Sequence, residues 1–225
     1  MYLVGLTGGI SCGKTTVSNH LKLHQIPIVD ADAIARKVVV PGTSAYKELR
    51  KHFDASLFDE ETGELNREKM GELVFRDVES RKLINKITHP AIRKKMYWEI
   101  LKAFFAGHQF VVLDVPLLFE SGFSRFVQKI VVVTCSSDTQ IARLMARDKV
   151  TRSDASRKIT AQMPVALKCE RAHFIIDNNG TVEETIEGVN LLLTRLKACW
   201  YGAIFKWIIG FVVVIIYKIL VHLIK

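Results

Sequence analysis

The sequence predicts an α/β fold: a parallel sheet with helices on both faces and extra helices inserted between two of its strands. Three observations carry this. Short apolar, β-branched runs alternate along the chain with helical stretches, the order that builds a parallel sheet. The runs are apolar throughout, as strands buried on both faces are. About 75 residues of helical pattern separate the second run from the third, far more than one crossover needs.

In order, residues 2–7 (YLVGLT), ended by Gly8-Gly9, read as a buried strand, and Lys14 to His24 as a helix. Residues 26–30 (IPIVD) are a second strand. The long helical stretch from Ala31 to Phe105 is broken at Pro41-Gly42, at Asp54 to Gly63 and at His89-Pro90. Residues 109–119 (QFVVLDVPLLF) and 129–135 (KIVVVTC) are the next strands. Ser137-x-x-Gln140 reads as a capping box opening a helix that ends near Asp148. Residues 172–178 (AHFIIDN) give a last strand, and Thr181-x-x-Glu184 caps a final amphipathic helix.

The chain has 225 residues, 49% apolar and 24% charged, which excludes disordered and collagen-like classes. Its net charge of +9 suits a polyanionic small molecule, a nucleic acid or an acidic membrane surface. Nucleic acid is not expected, because the aromatics are not interleaved with the Lys/Arg clusters as stacking platforms would be. Cys12, Cys135, Cys169 and Cys199 form no CxxC pair and read as reduced thiols in a cytosolic setting. The N-terminus lacks the basic region of a signal peptide.

Residues 8–15, Gly8-Gly9-Ile10-Ser11-Cys12-Gly13-Lys14-Thr15, match GxxxxGK[ST] between a strand and a helix. This is the phosphate-binding loop of a P-loop NTPase-like sheet. Glycines let the backbone turn its N–H groups inward, the helix N-terminus adds positive potential, Lys14 reaches the β/γ-phosphates and Thr15 offers a hydroxyl to Mg²⁺. The segment from Gly8 to Thr16 is therefore the expected ATP cradle. A GTPase is excluded: the one DxxG is Asp177 to Gly180, near the end, and Asn85-Lys86-Ile87-Thr88 lacks the Asp that reads guanine. A small-molecule kinase needs a carboxylate at the acceptor and arginines that close over ATP.

Asp30-Ala31-Asp32 lies at the C-terminal end of the second strand, the edge where ligands bind in open α/β sheets. One of the pair reads equally as a helix N-cap. Asp114 reads as a metal-side carboxylate or as a strand-end residue. Arg143 and Arg147 share a helix face and suit triphosphate oxygens, or form a solvated basic face.

With these residues in view the chain resembles the dephospho-CoA kinase family. The resemblance is carried over about residues 1–195 by LTGGIxxGKTT, IVDADxxAR (Ile28 to Arg36), THP (Thr88 to Pro90), DVPLLFE (Asp114 to Glu120), RxxxRD (Arg143 to Asp148), AQMP (Ala161 to Pro164) and IDNNG (Ile176 to Gly180). It implies transfer of a phosphoryl group from ATP to the ribose 3′-hydroxyl of dephospho-CoA, the last step of CoA synthesis. It implies a nucleotide core (1–32 and 107–197), a helical CoA subdomain (about 33–106) and a small lid (about 143–168). By the resemblance, Asp32 is the catalytic base, Arg36 and His89 lie beside the acceptor, and Arg147 is a lid arginine on ATP. The loop departs from the family's GGIGSGKS at Ser11 and Cys12, which questions a positive φ at Ser11. Cys12 reads either as a neutral replacement packed into the core or as a thiolate favoured by Lys14 and the helix N-terminus. Ala172-His173 stands where the family has Ala-Asp, and His173 has no evident role.

Residues 198–225 are apolar apart from Lys206, Lys218, His222 and Lys225 and contain no acidic residue. The uninterrupted run 207–217 spans roughly 16 Å as a helix, short of a bilayer core, but its flanking lysines can snorkel. Trp200, Tyr201, Trp207 and Tyr217 suit the interface. The expectation is a short C-terminal hydrophobic helix as membrane anchor, the kinase domain facing the cytosol, on the mitochondrial outer membrane rather than the endoplasmic reticulum. An interfacial helix and a buried oligomer contact are the other readings of the tail. The rival for the whole chain is a membrane-tethered nucleotide-binding scaffold without turnover.

Overall fold

The structure, a computed structural model, describes residues 1–200. Five strands, β1 (Tyr2–Gly8), β2 (Ile28–Asp30), β3 (Phe110–Asp114), β4 (Lys129–Thr134) and β5 (Phe174–Asp177), form one sheet in the order β2-β3-β1-β4-β5. β4 pairs in parallel with β1, Val4 opposite Lys129, and with β5, Val131 opposite Phe174. The helices are α1 (Lys14–Leu23), α2 (Ala31–Lys37), α3 (Ser44–His52), α4 (Arg67–Arg76), α5 (Val78–Phe105), α6 (Ser137–Asp148), α7 (Arg152–Thr160), α8 (Val165–Glu170) and α9, described over 182–200.

The chain folds as two compact units. Among the described residues, one holds 1–28, 107–112 and 116–200, and the other 29–106 with 113–115. In the first, alternate strand residues Val4 and Leu6, Phe110 and Val112, Val131 and Val133 share a core with Val17 and Leu21 of α1 and Val189, Leu192, Leu193 and Leu196 of α9. That last set lies one helical turn apart, the stripe that makes α9 amphipathic. The intervening strand residues face the other way and are buried too: Gly5 lies against Leu118, and Val111 and Val132 are at most 1% exposed. The sheet is therefore covered on both faces, as the unbroken apolar runs predict.

The second unit is helical. α2, α3 and α4 all pack on α5, around Leu49, Leu57, Phe58 and Ile84. The expected break at His89-Pro90 is absent, since α5 runs 28 residues with Pro90 inside it. Proline in a helix interior costs about 3 kcal/mol and removes the donor for the Lys86 carbonyl. Here three helices packed along α5, with Ile84, Thr88, Met96 and Ala103 buried, outweigh that local penalty.

Helix ends correct one expectation and meet another. The N-cap of α6 is Ser136, whose hydroxyl accepts the Thr139 N–H, so Ser137-x-x-Gln140 is not a capping box and Gln140 is free for another task. Thr181 and Glu184 do form the reciprocal box: the Thr181 N–H donates to Glu184 Oε2 at 2.9 Å, and the Glu184 N–H to Thr181 Oγ1 at 3.2 Å. His173 sits at the start of β5, where its N–H donates to the Ile130 carbonyl and its Nδ1 accepts the Ile130 N–H. Its role is to begin the β4–β5 ladder. The expected hydrophobic tail helix lies outside the described residues, except that α9 continues as far as Trp200.

Candidate functional site

β1 delivers the chain into the loop at Gly8, and Gly13, at φ 87°, caps α1. A side chain on Gly13 would be strained by that φ and would meet Asn178 Nδ2 at 1.8 Å. Ser11 also has a positive φ, 58°, so the position does adopt the left-handed conformation and serine carries the strain. The Cys12 N–H turns back onto the Gly9 carbonyl at 3.1 Å.

The carbonyls at alternate loop positions are held from behind by side chains. Lys168 Nζ donates to the Gly8 carbonyl (3.4 Å), Gln140 Nε2 to the Ile10 carbonyl (2.8 Å) and Asn178 Nδ2 to the Cys12 carbonyl (2.9 Å). Asn178 is oriented by Thr185, whose hydroxyl donates to its Oδ1 at 2.6 Å. With these carbonyls held on the protein side, the loop is pre-shaped to present N–H groups to an anion, and the N-terminus of α1 adds its dipole. Sequence reasoning missed these three donors. The polar residue in AQMPxxxK, the capping-like Gln140 and the first Asn of IDNNG were the available signals, but their contacts are more than a hundred residues away in sequence.

Lys14 and Thr15 open α1, with Thr15 exposed and Thr16 donating its N–H to the Gly13 carbonyl at 3.0 Å. Arg143 lies one turn beyond Gln140 on α6, the helix latched to the loop. Among the described residues, two buried side-chain polar atoms have no hydrogen-bond partner: Ser11 Oγ in the loop and Arg143 Nη1. An unpartnered buried guanidinium nitrogen calls for an acceptor. Arg147 is exposed, and its Nε donates to Asp148 Oδ1 at 2.8 Å. Hydrogen bonds from Arg147 and then Lys158 hold the Asp148 carboxyl down to about 2. Arg147 thus stands preset at the end of α6, next to Lys149, which makes the turn into α7 with φ 54°.

Cys12 is fully buried, its Sγ 3.4 Å from Cys135 Sγ. Burial, then the neighbouring sulfur, push its pKa up to about 12. It is a packed neutral thiol, and the thiolate alternative does not hold.

In the helical unit Asp30 is the N-cap of α2, its Oδ1 accepting the Ala33 N–H at 2.9 Å. Asp32 is exposed on the first turn of the same helix and Arg36 lies one turn on. Both line a cleft of about 320 Å³ with Arg67 at its rim and Val39, Met70, Ile84 and Ile92 among its walls. Arg67, at the first position of α4, was not singled out from the sequence. His89 is exposed on α5 beside Thr88, which lines the cleft, but His89 does not line it. Asp114 is buried at the end of β3, 4% exposed.

The family model for dephospho-CoA kinase matches residues 2–184. The chain is 46% identical over 200 residues to a dephospho-CoA kinase domain-containing protein of Danio rerio, covering 88% of this chain and 87% of that one. It is 43% identical over 192 residues to a dephospho-CoA kinase of Listeria monocytogenes, covering 85% and 96%. Among solved structures, TT1252 from Thermus thermophilus superposes with a TM-score of 0.74 at 28% identity, over 87% of this chain and 97% of that one. Dephospho-CoA kinase from Campylobacter jejuni does so with a TM-score of 0.65 at 25% identity, over 86% and 96%.

Proposed function

Because the chain belongs to the dephospho-CoA kinase family, we propose a division of labour among its residues in the transfer of a phosphoryl group from ATP to the ribose 3′-hydroxyl of dephospho-CoA, giving CoA and ADP. The observation that carries it is the phosphate loop with its carbonyls latched behind it.

The loop from Gly8 to Thr16 receives the ATP phosphates through backbone N–H groups and Lys14. Arg143 supplies its unpartnered Nη1 to a phosphate oxygen. Arg147 leaves its pair with Asp148 for the triphosphate, whose several charged oxygens accept both prongs of the guanidinium and outcompete a single carboxylate oxygen. Phosphoryl transfer is mostly positioning plus electrostatic stabilisation, and these donors face the charge that spreads over the transferring group.

The acceptor enters at the α2 cleft. Asp32 accepts the proton of the ribose hydroxyl, Arg36 and Arg67 meet the acceptor's phosphates, and the apolar walls take its uncharged portion. His89, outside that cleft, contributes to the acceptor side only from its exposed position on α5. Asp30 is occupied as an N-cap and shapes the turn that presents Asp32.

Thr15 has the right donor for Mg²⁺: an exposed hydroxyl on the first turn of α1, beside the Lys14 ammonium. When bound, the ion neutralises charge on the β- and γ-phosphates.

The tail, residues 198–225, is proposed as a membrane anchor that leaves the kinase facing the cytosol, with the mitochondrial outer membrane its expected address. Its composition supports this. Among the described residues no helix is long and apolar enough to cross a membrane. Alkaline carbonate extraction tests it: full-length protein should stay in the membrane pellet, and release as complete as that of a 1–197 truncation would refute it. For the reaction, purified protein with Mg-ATP should release ADP only when dephospho-CoA is added. ADP release independent of the acceptor would refute the assignment.

A further inference from the structure

We propose that Lys168 is a positioning residue for phosphoryl transfer, tying the first carbonyl of the phosphate loop through Glu120 to the segment that follows the arginine-bearing arm. This rests on the kinase reading above.

The Lys168 side chain is 0% exposed, and its Nζ lies 2.9 Å from Glu120 Oε1 as well as 3.4 Å from the Gly8 carbonyl. Glu120 Oε1 also accepts the Met163 N–H at 3.1 Å. Burial alone would raise the Glu120 carboxyl, but hydrogen bonds from Lys168, its own backbone N–H and Met163 outweigh it and hold it below the ordinary carboxylate value. Glu120 is therefore charged, and the contact is a true ion pair.

A buried ammonium is expensive to desolvate, and an apolar side chain of similar length would fill the space at no such cost. Packing alone therefore does not explain a lysine at this position. Its contacts do. They join three separated segments: Gly8 at the end of β1, Glu120 after β3, and residues 163–168 at the far end of the arm that carries Arg143 and Arg147.

The junction it grips has no slack. A Cβ on Gly8 would meet the Val133 carbonyl at 2.5 Å, and one on Gly9 would meet Val165 Cγ2, on α8, at 2.5 Å. Gly8 is thus pressed against β4 while Lys168 and Val165 of α8 close on the loop. If the ammonium is lost, the Gly8 carbonyl loses this donor, and any rotation it makes carries the following N–H groups with it. A misplacement of about 1 Å at such a site costs on the order of 100-fold in rate. Lys168 approaches a loop carbonyl and not the N–H side that receives phosphate, so its effect is on geometry.

The test uses full-length protein carrying Lys168→Met, Glu120→Gln, and both together, with kcat, both KM values and the thermal midpoint measured for each. Lys168→Met should lower kcat about 10- to 100-fold and lower the midpoint. The double variant, which leaves neither charge unpaired, should recover the midpoint but not kcat. Recovery of kcat together with the midpoint would mean a merely structural pair and overturn the proposal. If Lys168→Met fails to fold, Glu120→Gln decides: it keeps an acceptor for Met163 and should still lower kcat at least about 10-fold. Undiminished kcat in the single variants overturns the role of Lys168 alone, whereas wild-type protein that forms no ADP overturns the kinase reading.

Discussion

Replacing Ser11 by glycine should stabilise the nucleotide-free protein. Ser11 holds φ at 58°, a conformation that costs an L-residue roughly 1–2 kcal/mol. Its Oγ is buried without a partner, a further penalty of about 1–3 kcal/mol. Glycine removes both but adds about 0.4–1 kcal/mol of unfolded-chain entropy. The smallest combination of these leaves a gain of about 1 kcal/mol, worth roughly 2–4 °C in the thermal midpoint of a chain this size. Ser11→Ala separates the two causes, because it removes the hydroxyl and keeps the backbone strain, so it should gain less than glycine. Differential scanning fluorimetry without nucleotide measures both. ATP affinity should hardly change in either variant, because the loop meets phosphate through N–H groups. A glycine variant no more stable than the parent, or less stable than the alanine variant, would refute the strain argument.

Asp32→Asn should keep ATP binding and lose about 10²–10⁴-fold in kcat, the usual cost of removing a general base; equal turnover would move that role elsewhere. Arg147→Ala should lower transfer strongly and Arg147→Lys restore only part, since an ammonium cannot fork across two phosphate oxygens; full rescue in steady-state kinetics would show that charge alone suffices. Burial, then the charge of Lys129, lowers the His173 pKa below its ordinary 6.5. The folded state therefore favours the neutral ring, whose Nδ1 accepts the Ile130 N–H. The stability this contributes is present above about pH 6.5 and is lost as pH falls from there through the lower folded value. His173→Gln should flatten that part of the curve of midpoint against pH, and an unchanged curve would remove His173 as its source.

The parts of the fold that were legible are those written in short-range pattern. Most strand positions followed from unbroken apolar runs, α9 from its stripe, and the Thr181–Glu184 box from spacing alone, but the run 109–119 is strand only over Phe110–Asp114, because Pro116 lacks the N–H to continue the ladder and the chain turns. The loop was legible because its chemistry is contiguous. What escaped depends on partners distant in the chain. Gln140 matched a capping pattern, yet the cap is one residue earlier and the amide crosses to Ile10. Pro90 should have ended a helix, and tertiary packing on α5 overrode it. The burial of Cys12 against Cys135 and the grip of Lys168 on Gly8 join residues more than 120 positions apart, which no local window contains. Asp30 read equally as a cap or as a site carboxylate, because capping depends on geometry the sequence does not carry, and the hydrogen bond from Ala33 assigns it to the cap.

The tie between the two ends of the described chain lies at the far end of β1 from the phosphate loop. The Tyr2 phenol donates to the Leu196 carbonyl at 2.6 Å, and the Tyr2 N–H to the Gln109 carbonyl at 3.2 Å. Tyr2 begins β1, whereas the phosphate loop follows its last residue, Gly8. Seven residues of strand span roughly 20 Å, so the backbone passes Leu196 at the rim of the sheet opposite the nucleotide mouth. Residues 197–200 of α9 therefore lie at the end of the sheet remote from the phosphate loop.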